Sequence, residues 1–288
     1  MQYLSPTTIE EAVRYLAAQT GDCRILAGGT DLLVQLRSGL AEPESIVDIK
    51  RIDDLHQISR EDGGWRIGAA VSGAEMGEHA ALVADWPGVV EAVNLIGSTQ
   101  IQGRATLAGN LCNASPSADS VPAMVAARAV ARVVGPDGAR DVPVIDIPTG
   151  PGKNALARDE FIASIFLPAR PERSADAYLR FIPRTEMDIA VVGCGVFLKL
   201  GKDGTCADAR VALGAVAPKV LLVEDAARAL IGTSLDDAAL DAFSAACSAA
   251  AKPISDKRGT AEFRVHVTGV LARRAALIAK NRAGGAAQ

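Results

Sequence analysis

Two stretches of this sequence leave backbone N–H groups bare of side chains, so that they could surround an anion with no charged side chain at all: Ala27-Gly28-Gly29-Thr30-Asp31, and Ala105 to Asp119 around Gly109 and Asn110. In the first, Gly28 and Gly29 permit close backbone approach, Thr30 offers a hydroxyl, and a helix expected to start at Leu32 adds a favourable dipole. In the second, Gly109 and Asn110 do the same, while Asn113, Ser115 and Asp119 supply donors and acceptors suited to a ribityl or ribose chain. Either segment alone also fits a tight turn capped by small polar residues, because short glycine motifs are common. Together they point to the diphosphate of a dinucleotide. Neither is GxGxxG or GxxxxGK[ST], so neither the Rossmann fingerprint nor the P-loop applies. Gly150-Pro151-Gly152-Lys153 lacks the motif length and a following helix start, and reads as a loop.

Other chemistry is thinly represented. The five cysteines, Cys23, Cys112, Cys194, Cys206 and Cys247, show none of the short spacings that iron–sulfur clusters or structural zinc require. His56, His79 and His266 stand apart from one another and read as surface or core histidines, so no metal site and no Ser-His-Asp triad is expected. No residue is assigned as a catalytic acid or base. The net charge of −4, with Lys and Arg dispersed, gives no footprint for nucleic acid. No apolar run is long enough to span a bilayer, and Met1 to Pro6 does not resemble a signal peptide, so a cytoplasmic location is expected.

The elements that must position the two loops follow from pattern. Thr7 and Thr8 stand three residues before Glu10 and Glu11, capping-box spacing ahead of apolar Ile9, Ala12, Val13 and Leu16, so a helix starts here and ends by Gly21. Arg24 to Leu26 reads as a strand, Leu32 to Arg37 as a short helix closed by Gly39, and Ser45 to Ile49 as a second strand, a small βαβ-like unit. Trp65 to Val71 is expected as a strand, followed from the Ser72 capping box by a helical stretch through Asn94 and Ile96. A helix at Val121 to Ala127, a hairpin from Val130 through Pro136-Asp137-Gly138 to Val142, and a strand over Asp159 to Leu167 come next. The segment Pro168 to Arg173 is the expected boundary. Beyond it Ala177 to Ile182, Ile189 to Leu200 and Ala207 to Val216 suggest a three-stranded antiparallel sheet. The Ala-rich runs Ala226 to Leu230, Leu235 to Ala251 and Gly259 to Lys280 suggest helices covering that sheet, and Ala283 to Gln288 reads as disordered.

Ile25 through Leu33 (ILAGGTDLL) and Ala105 through Asp119 (ATLAGNLCNASPSAD) resemble the two FAD loops of the xanthine dehydrogenase flavoprotein family, which includes the medium subunits of aerobic carbon monoxide dehydrogenase and related molybdenum hydroxylases. Tyr178 to Arg184 with Asp188-Ile189-Ala190, and Ser255-Asp256 with Arg258 and Ala261 to Arg264, extend the resemblance over nearly the whole chain. It implies an α+β fold. Two α/β subdomains of the vanillyl-alcohol-oxidase-like (PCMH-type) FAD-binding fold occupy residues 1–172 (about 1–53 and 54–172), and a C-terminal domain with a helix-covered antiparallel sheet occupies 173–288. By the same resemblance Ile25, Leu26, Ala27, Gly28, Gly29, Thr30 and Asp31, with Ala105, Thr106, Gly109, Asn110, Cys112 and Asn113, enclose the pyrophosphate and ribityl chain. Ser115 and Asp119 are polar partners, Ile96, Gly97 and Ile162 meet the adenine or the flavin edge, and Arg180 lies near the isoalloxazine. Two departures are Ala108, where many relatives carry a first glycine, and Cys112, where an aliphatic or small residue is usual; a small buried hydrophobe is the expected role of that thiol.

The function implied is an FAD-carrying electron-transfer subunit, with the molybdenum cofactor and [2Fe–2S] clusters on a molybdopterin large subunit and an iron–sulfur small subunit, in a heterotrimer or its dimer. The alternatives are a self-contained flavin oxidase of the same fold group and a flavin-free interaction module. The former would need a substrate-covering domain, for which the residues after Arg173, with few aromatics, are thin.

Overall fold

The computed structural model describes residues 1–285. The chain opens on a short strand, β1 (Gln2–Leu4), which the sequence pattern does not reveal. Helix α1 (Ile9–Ala18) follows, its Thr8 hydroxyl accepting from the Glu11 N–H while the Glu11 carboxylate accepts from the Thr7 N–H at 2.8 Å. A cap of this kind contributes about 1 kcal/mol. The helix buries Ala12 and Leu16, and burying a leucine adds about 2 kcal/mol. Strand β2 (Cys23–Leu26) leads through the first glycine segment into α2 (Leu32–Arg37), and β3 (Ser45–Asp48) returns parallel to β2, the expected βαβ unit. β1 pairs with the other edge of β3, so the sheet runs β1-β3-β2 and is all parallel.

Strands β4 (Ile58–Glu61) and β5 (Gly64–Gly68) form a hairpin. β5 is shorter than the Trp65 to Val71 reading, because beyond Gly68 the chain turns away and the Ala69 N–H bonds the Ala163 carbonyl. The helical stretch expected after Ser72 is three helices, α3 (Gly73–Glu78), α4 (Ala80–Asp85) and α5 (Pro87–Val93). Its breaks have local causes. His79 leaves helical dihedrals and its ring accepts from the Leu82 N–H to cap α4, and Pro87 begins α5 at the position where its missing N–H costs nothing. Then come α6 (Thr99–Gln102), α7 (Leu107–Cys112), α8 (Ser120–Ala126), β6 (Val130–Gly135), β7 (Gly138–Pro143), the small hairpin β8 (Pro148–Gly150) and β9 (Lys153–Asn154), and β10 (Phe161–Leu167). These give an antiparallel five-stranded sheet in the order β4-β5-β10-β6-β7.

After the Pro168 to Arg173 segment, β11 (Ser174–Phe181), β12 (Val192–Leu200), β13 (Cys206–Gly214) and β14 (Leu221–Leu222) make an antiparallel sheet of four strands. The three-stranded reading missed β14, whose two residues are too few to show a period. Helices α9 (Glu224–Leu230), α10 (Asp237–Ala250) and α11 (Ala261–Ala283) cover one face. Ala283 closes α11 rather than beginning a disordered tail, and residues 286–288 of that expected tail lie outside the described residues. The other face of the sheet is not free. Tyr178, Phe197 and Ala212 join the core of the first 170 residues, while Ala175, Ala177, Cys194 and Val196 join the second core. The period-2 alternation of the strands thus serves two cores at once. Close packing is possible because Gly195 faces α8: a Cβ there would sit 2.5 Å from the Pro122 carbonyl oxygen.

Candidate functional site

The two glycine segments meet. An added Cβ on Gly28 would lie 1.9 Å from the Arg104 carbonyl oxygen and 3.2 Å from the Ala105 Cα, so backbone rests on backbone where only glycine fits. Gly29 adopts a φ of +78°, which turns the chain out of β2 and lets its carbonyl accept from the Leu33 N–H as α2 begins. The second segment is anchored by the Gly73 N–H on the Ala105 carbonyl (2.9 Å) and by Thr106, whose hydroxyl accepts from the Gly109 N–H to cap α7. A side-chain bond ties the segments again, Gln35 Nε2 donating to Asn113 Oδ1 at 3.2 Å.

Between them lies a cavity of about 490 Å³, within the size range usual for small-molecule and cofactor sites. Thirteen of the nineteen predicted residues line it: Ile25, Ala27, Gly28, Gly29, Thr30, Asp31, Ala105, Thr106, Gly109, Asn110, Cys112, Asn113 and Ile162. Ile162 reaches it beside a bulge in β10, where the register against β6 shifts between Ile162 and Ser164. Burial pushes the Cys112 thiol up to about 12, so it stays protonated and acts as a small apolar wall.

Six predicted residues do not line the cavity. Leu26 is buried in the core under the turn, its Cδ1 against Gly29. Gly97 lies at a turn with φ +66°, its carbonyl accepting from the Met187 N–H, and Ile96 packs beside it against the first core. The Ser115 hydroxyl accepts from the Ser117 N–H and stabilises its own turn. Asp119 and Arg180 are engaged with each other: Arg180 donates to Asp119 Oδ2 at 2.8 Å, both side chains are at least nine-tenths buried, and the Tyr178 hydroxyl donates to Asp119 Oδ1 at 3.0 Å. Burial raises the Asp119 carboxyl to about 6, against the opposing pull of Arg180 and Tyr178.

A third segment completes the wall and is absent from the sequence reading. Gly152, Asn154, Leu156, Arg158 and Phe161 line the cavity, from the hairpin and the strand entry that follow Gly150. Asn154 Nδ2 donates to the Cys112 carbonyl, the Gly152 N–H to the Ala114 carbonyl, and the Arg158 guanidinium to the carbonyls of Gln19 and Gly21. The Gly150 to Lys153 loop is therefore a hairpin turn at the site. Its only sequence signal was a glycine pair with no local motif.

Chemically the cavity suits a long polyanionic ligand with apolar ends. Among the described residues the N–H groups of Gly28, Gly29 and Thr30 have no protein acceptor, the donor set an oxyanion needs. Asp31 sits at the start of α2 without capping it. Leu16, Ile25, Ile49, Leu156, Phe161 and Ile162 supply apolar wall. Among the described residues no group of three or more His, Cys, Asp or Glu could hold a metal ion, and no helix is long and apolar enough to cross a membrane.

Residues 1–170 match the family described as the FAD binding domain in molybdopterin dehydrogenase, and residues 177–279 match the CO dehydrogenase flavoprotein C-terminal domain. The chain is 35% identical to the carbon monoxide dehydrogenase medium chain of Afipia carboxidovorans, over 98% of this chain and 97% of that one. It is 32% identical to the putative xanthine dehydrogenase FAD-binding subunit of Escherichia coli K12, over 99% and 98%. Among solved structures, a chain of the carbon monoxide dehydrogenase from Hydrogenophaga pseudoflava superposes with a TM-score of 0.93 at 31% identity, covering 98% of each chain.

Proposed function

The chain belongs to the family of FAD-binding medium subunits of xanthine dehydrogenase and carbon monoxide dehydrogenase, and from that premise we propose that the cavity between the two glycine segments holds the FAD. Ile25 to Asp31 and Ala105 to Asn113 take the pyrophosphate and ribityl chain, Ile162 borders a ring, and Gly152, Asn154 and Arg158 close the third side. The observation that carries this reading is the backbone contact of Gly28 with Arg104 and Ala105 at the head of one common cavity. An uncharged cradle of N–H groups holds a diphosphate while leaving its charge to the backbone dipoles.

In this reading the chain is the electron-transfer subunit of a cytoplasmic molybdenum hydroxylase, formed with an iron–sulfur small subunit and a molybdopterin large subunit as a heterotrimer or its dimer. FAD supplies the redox chemistry, taking electrons from [2Fe–2S] clusters on the small subunit and delivering them to an external acceptor. This chain's residues bind and orient the cofactor and exclude water from it. The reading is supported by the fate of the cysteines: Cys194, Cys206 and Cys247 are buried in the C-terminal core, where burial lifts Cys206 to about 11 and Cys247 to about 12, so they serve packing rather than ligation. We divide the chain at 172/173, with subdomains meeting near residue 53.

Native purification with a visible spectrum and identification of companion chains tests this. One FAD per chain, in company with an iron–sulfur chain and a molybdenum chain, is expected. Turnover of an organic substrate by the chain alone would transfer the assignment to a self-contained flavin oxidase.

A further inference from the structure

Three side chains on alternate positions of β11, Asp176, Tyr178 and Arg180, face the first 170 residues instead of the C-terminal core. A buried strand face is ordinarily apolar, and a charge placed there carries a desolvation cost that only good geometry offsets. Here Tyr178 and Arg180 have definite partners, and Asp176 has one for its Oδ2 while its Oδ1 is buried without a hydrogen bond. Asp176 accepts from the Val89 N–H at 3.0 Å, while Tyr178 and Arg180 converge on the two oxygens of Asp119. Asp119 stands at the N-terminus of α8, shortly after the second glycine segment.

The neighbouring contacts show where that grip leads. Ser120, next to Asp119, donates through its N–H and its hydroxyl to Asn110 Oδ1, at 3.2 and 2.7 Å, and Asn110 is part of the cavity wall. Between them the Pro116 carbonyl accepts from the Ala215 N–H at 2.7 Å, just beyond β13. Ala215 holds a φ of +65°, a conformation an alanine adopts only when its surroundings enforce it. The stretch from Asn113 to Ser120 is thus gripped from the C-terminal sheet at two points, one ionic and one through strained backbone.

We infer that Tyr178 and Arg180 are positioning residues for the cofactor: by holding the Asp119 carboxylate they fix the first turn of α8 and, through Ser120, the Asn110 side chain in the cavity wall. The inference rests on the reading that this cavity binds FAD. The C-terminal sheet is then a working part of the cofactor site although Tyr178 and Arg180 do not line the cavity. Because Asp119 is raised to about 6, the grip is pH-dependent. The charged and titratable groups facing the carboxylate are Arg180 and Tyr178 from β11, with Cys194 of β12 acting on Tyr178. As pH falls through about 6 the carboxyl gains a proton and the ion pair with Arg180 is lost, so the local grip on the wall slackens even though the fold as a whole holds this proton more tightly than the unfolded chain does.

The test uses the full chain in its native complex, stripped of flavin and titrated with FAD between pH 5 and 8, following flavin fluorescence, the visible circular dichroism of the bound flavin and, separately, thermal unfolding. At pH 7.5, Tyr178→Phe and Asp119→Asn are expected to weaken FAD binding about two- to thirtyfold, the range usual for coupling through a side-chain network, and to alter the dichroism. Wild-type affinity falls below about pH 6, whereas Asp119→Asn shows no such dependence. Arg180→Lys recovers most of the affinity that Arg180→Met loses. Variants that melt earlier yet bind FAD with wild-type affinity, dichroism and pH profile would overturn the inference, leaving the network merely structural. Wild-type chain that binds no FAD at any pH would sink the cofactor reading itself, a separate result. Should Asp119→Asn fail to fold, Tyr178→Phe, which removes a single hydroxyl, decides.

Discussion

Replacing Gly28 by alanine puts a methyl group 1.9 Å from the Arg104 carbonyl oxygen, where real Cβ contacts do not go below 3.0 Å. The two glycine segments must therefore part by at least about 1.1 Å. Neither side is a flexible side chain: Arg104 and Ala105 are pinned by N–H bonds to the Ile101 carbonyl, and the Ala105 carbonyl by the Gly73 N–H. Forcing extra volume into a packed contact costs about 1 to 3 kcal/mol. If that strain falls on the state that binds cofactor, affinity drops by about five- to 150-fold. The assay is FAD titration of the flavin-stripped complex, with thermal unfolding alongside. Gly150→Ala is the matched control, since no atom lies within 4 Å of its added Cβ, and it is expected to change stability by less than about 0.5 kcal/mol. A Gly28→Ala protein that binds FAD as tightly as the Gly150→Ala protein would refute the claim that backbone contact between the two segments builds the site.

Asn113→Ala removes the bond from Gln35 that ties α2 to the second segment; FAD affinity is expected to fall severalfold, for a bond worth about 1 kcal/mol, and an unchanged titration would count against this link. Asp176 is raised to about 7, chiefly by burial and further by Glu91, against the Gly88 and Val89 N–H groups and Arg282. Its unfolded value is about 3.9, so the folded state holds this proton more tightly and stability falls as pH rises from about 4 to about 7, by a few kcal/mol at most. Denaturant unfolding at pH 5 and pH 8 should show wild type losing stability relative to Asp176→Asn, and parallel behaviour of the two proteins would contradict it. Arg264, buried and bonded to the Val191 and Ala215 carbonyls and to Asp256, leaves those acceptors stranded in Arg264→Ala; a loss of about 3 to 5 kcal/mol is expected in thermal or chemical unfolding. Asp188 is depressed to about 2 by its bonds from Arg258 and Arg184, so that clamp's contribution is full above about pH 4 and is lost as pH falls through about 2; acid titration of Arg258→Gln should show a smaller step, Arg184 still holding the carboxylate, and an undiminished step would contradict this.

What could be read from the sequence was what is encoded locally. Gly28-Gly29 reveals itself because a turn of that shape needs those residues wherever it occurs, and the Leu32 to Arg37 bounds expected for α2 are those of the structure, whereas α7 and its Thr106 cap do not stand out within the second glycine segment. β1 and β14 were invisible because three and two residues carry no periodicity. The break between α3 and α4 depends on a histidine ring acting as a cap, a role histidine seldom takes. The third wall of the cavity could not be read at all, since Gly152 and Asn154 reach it only through long-range bonds to Ala114 and Cys112. Asp119 and Arg180 illustrate a different limit. A carboxylate in a glycine-rich motif and an arginine on a strand look the same whether they face a ligand or each other, and only the folded chain shows that they pair.

The contact at Gly28 also bears on how the protein keeps its shape. On the reading that this cavity holds the FAD, each of its lips comes from a different part of the chain, so the nucleotide would bind the native ensemble in preference to the unfolded one. Such a ligand adds RT ln(1 + [L]/Kd) to the free energy of unfolding, about 2.7 kcal/mol at a hundredfold excess over Kd. Flavin supply would then govern how much of this polypeptide survives proteolysis in the cell, quite apart from any turnover.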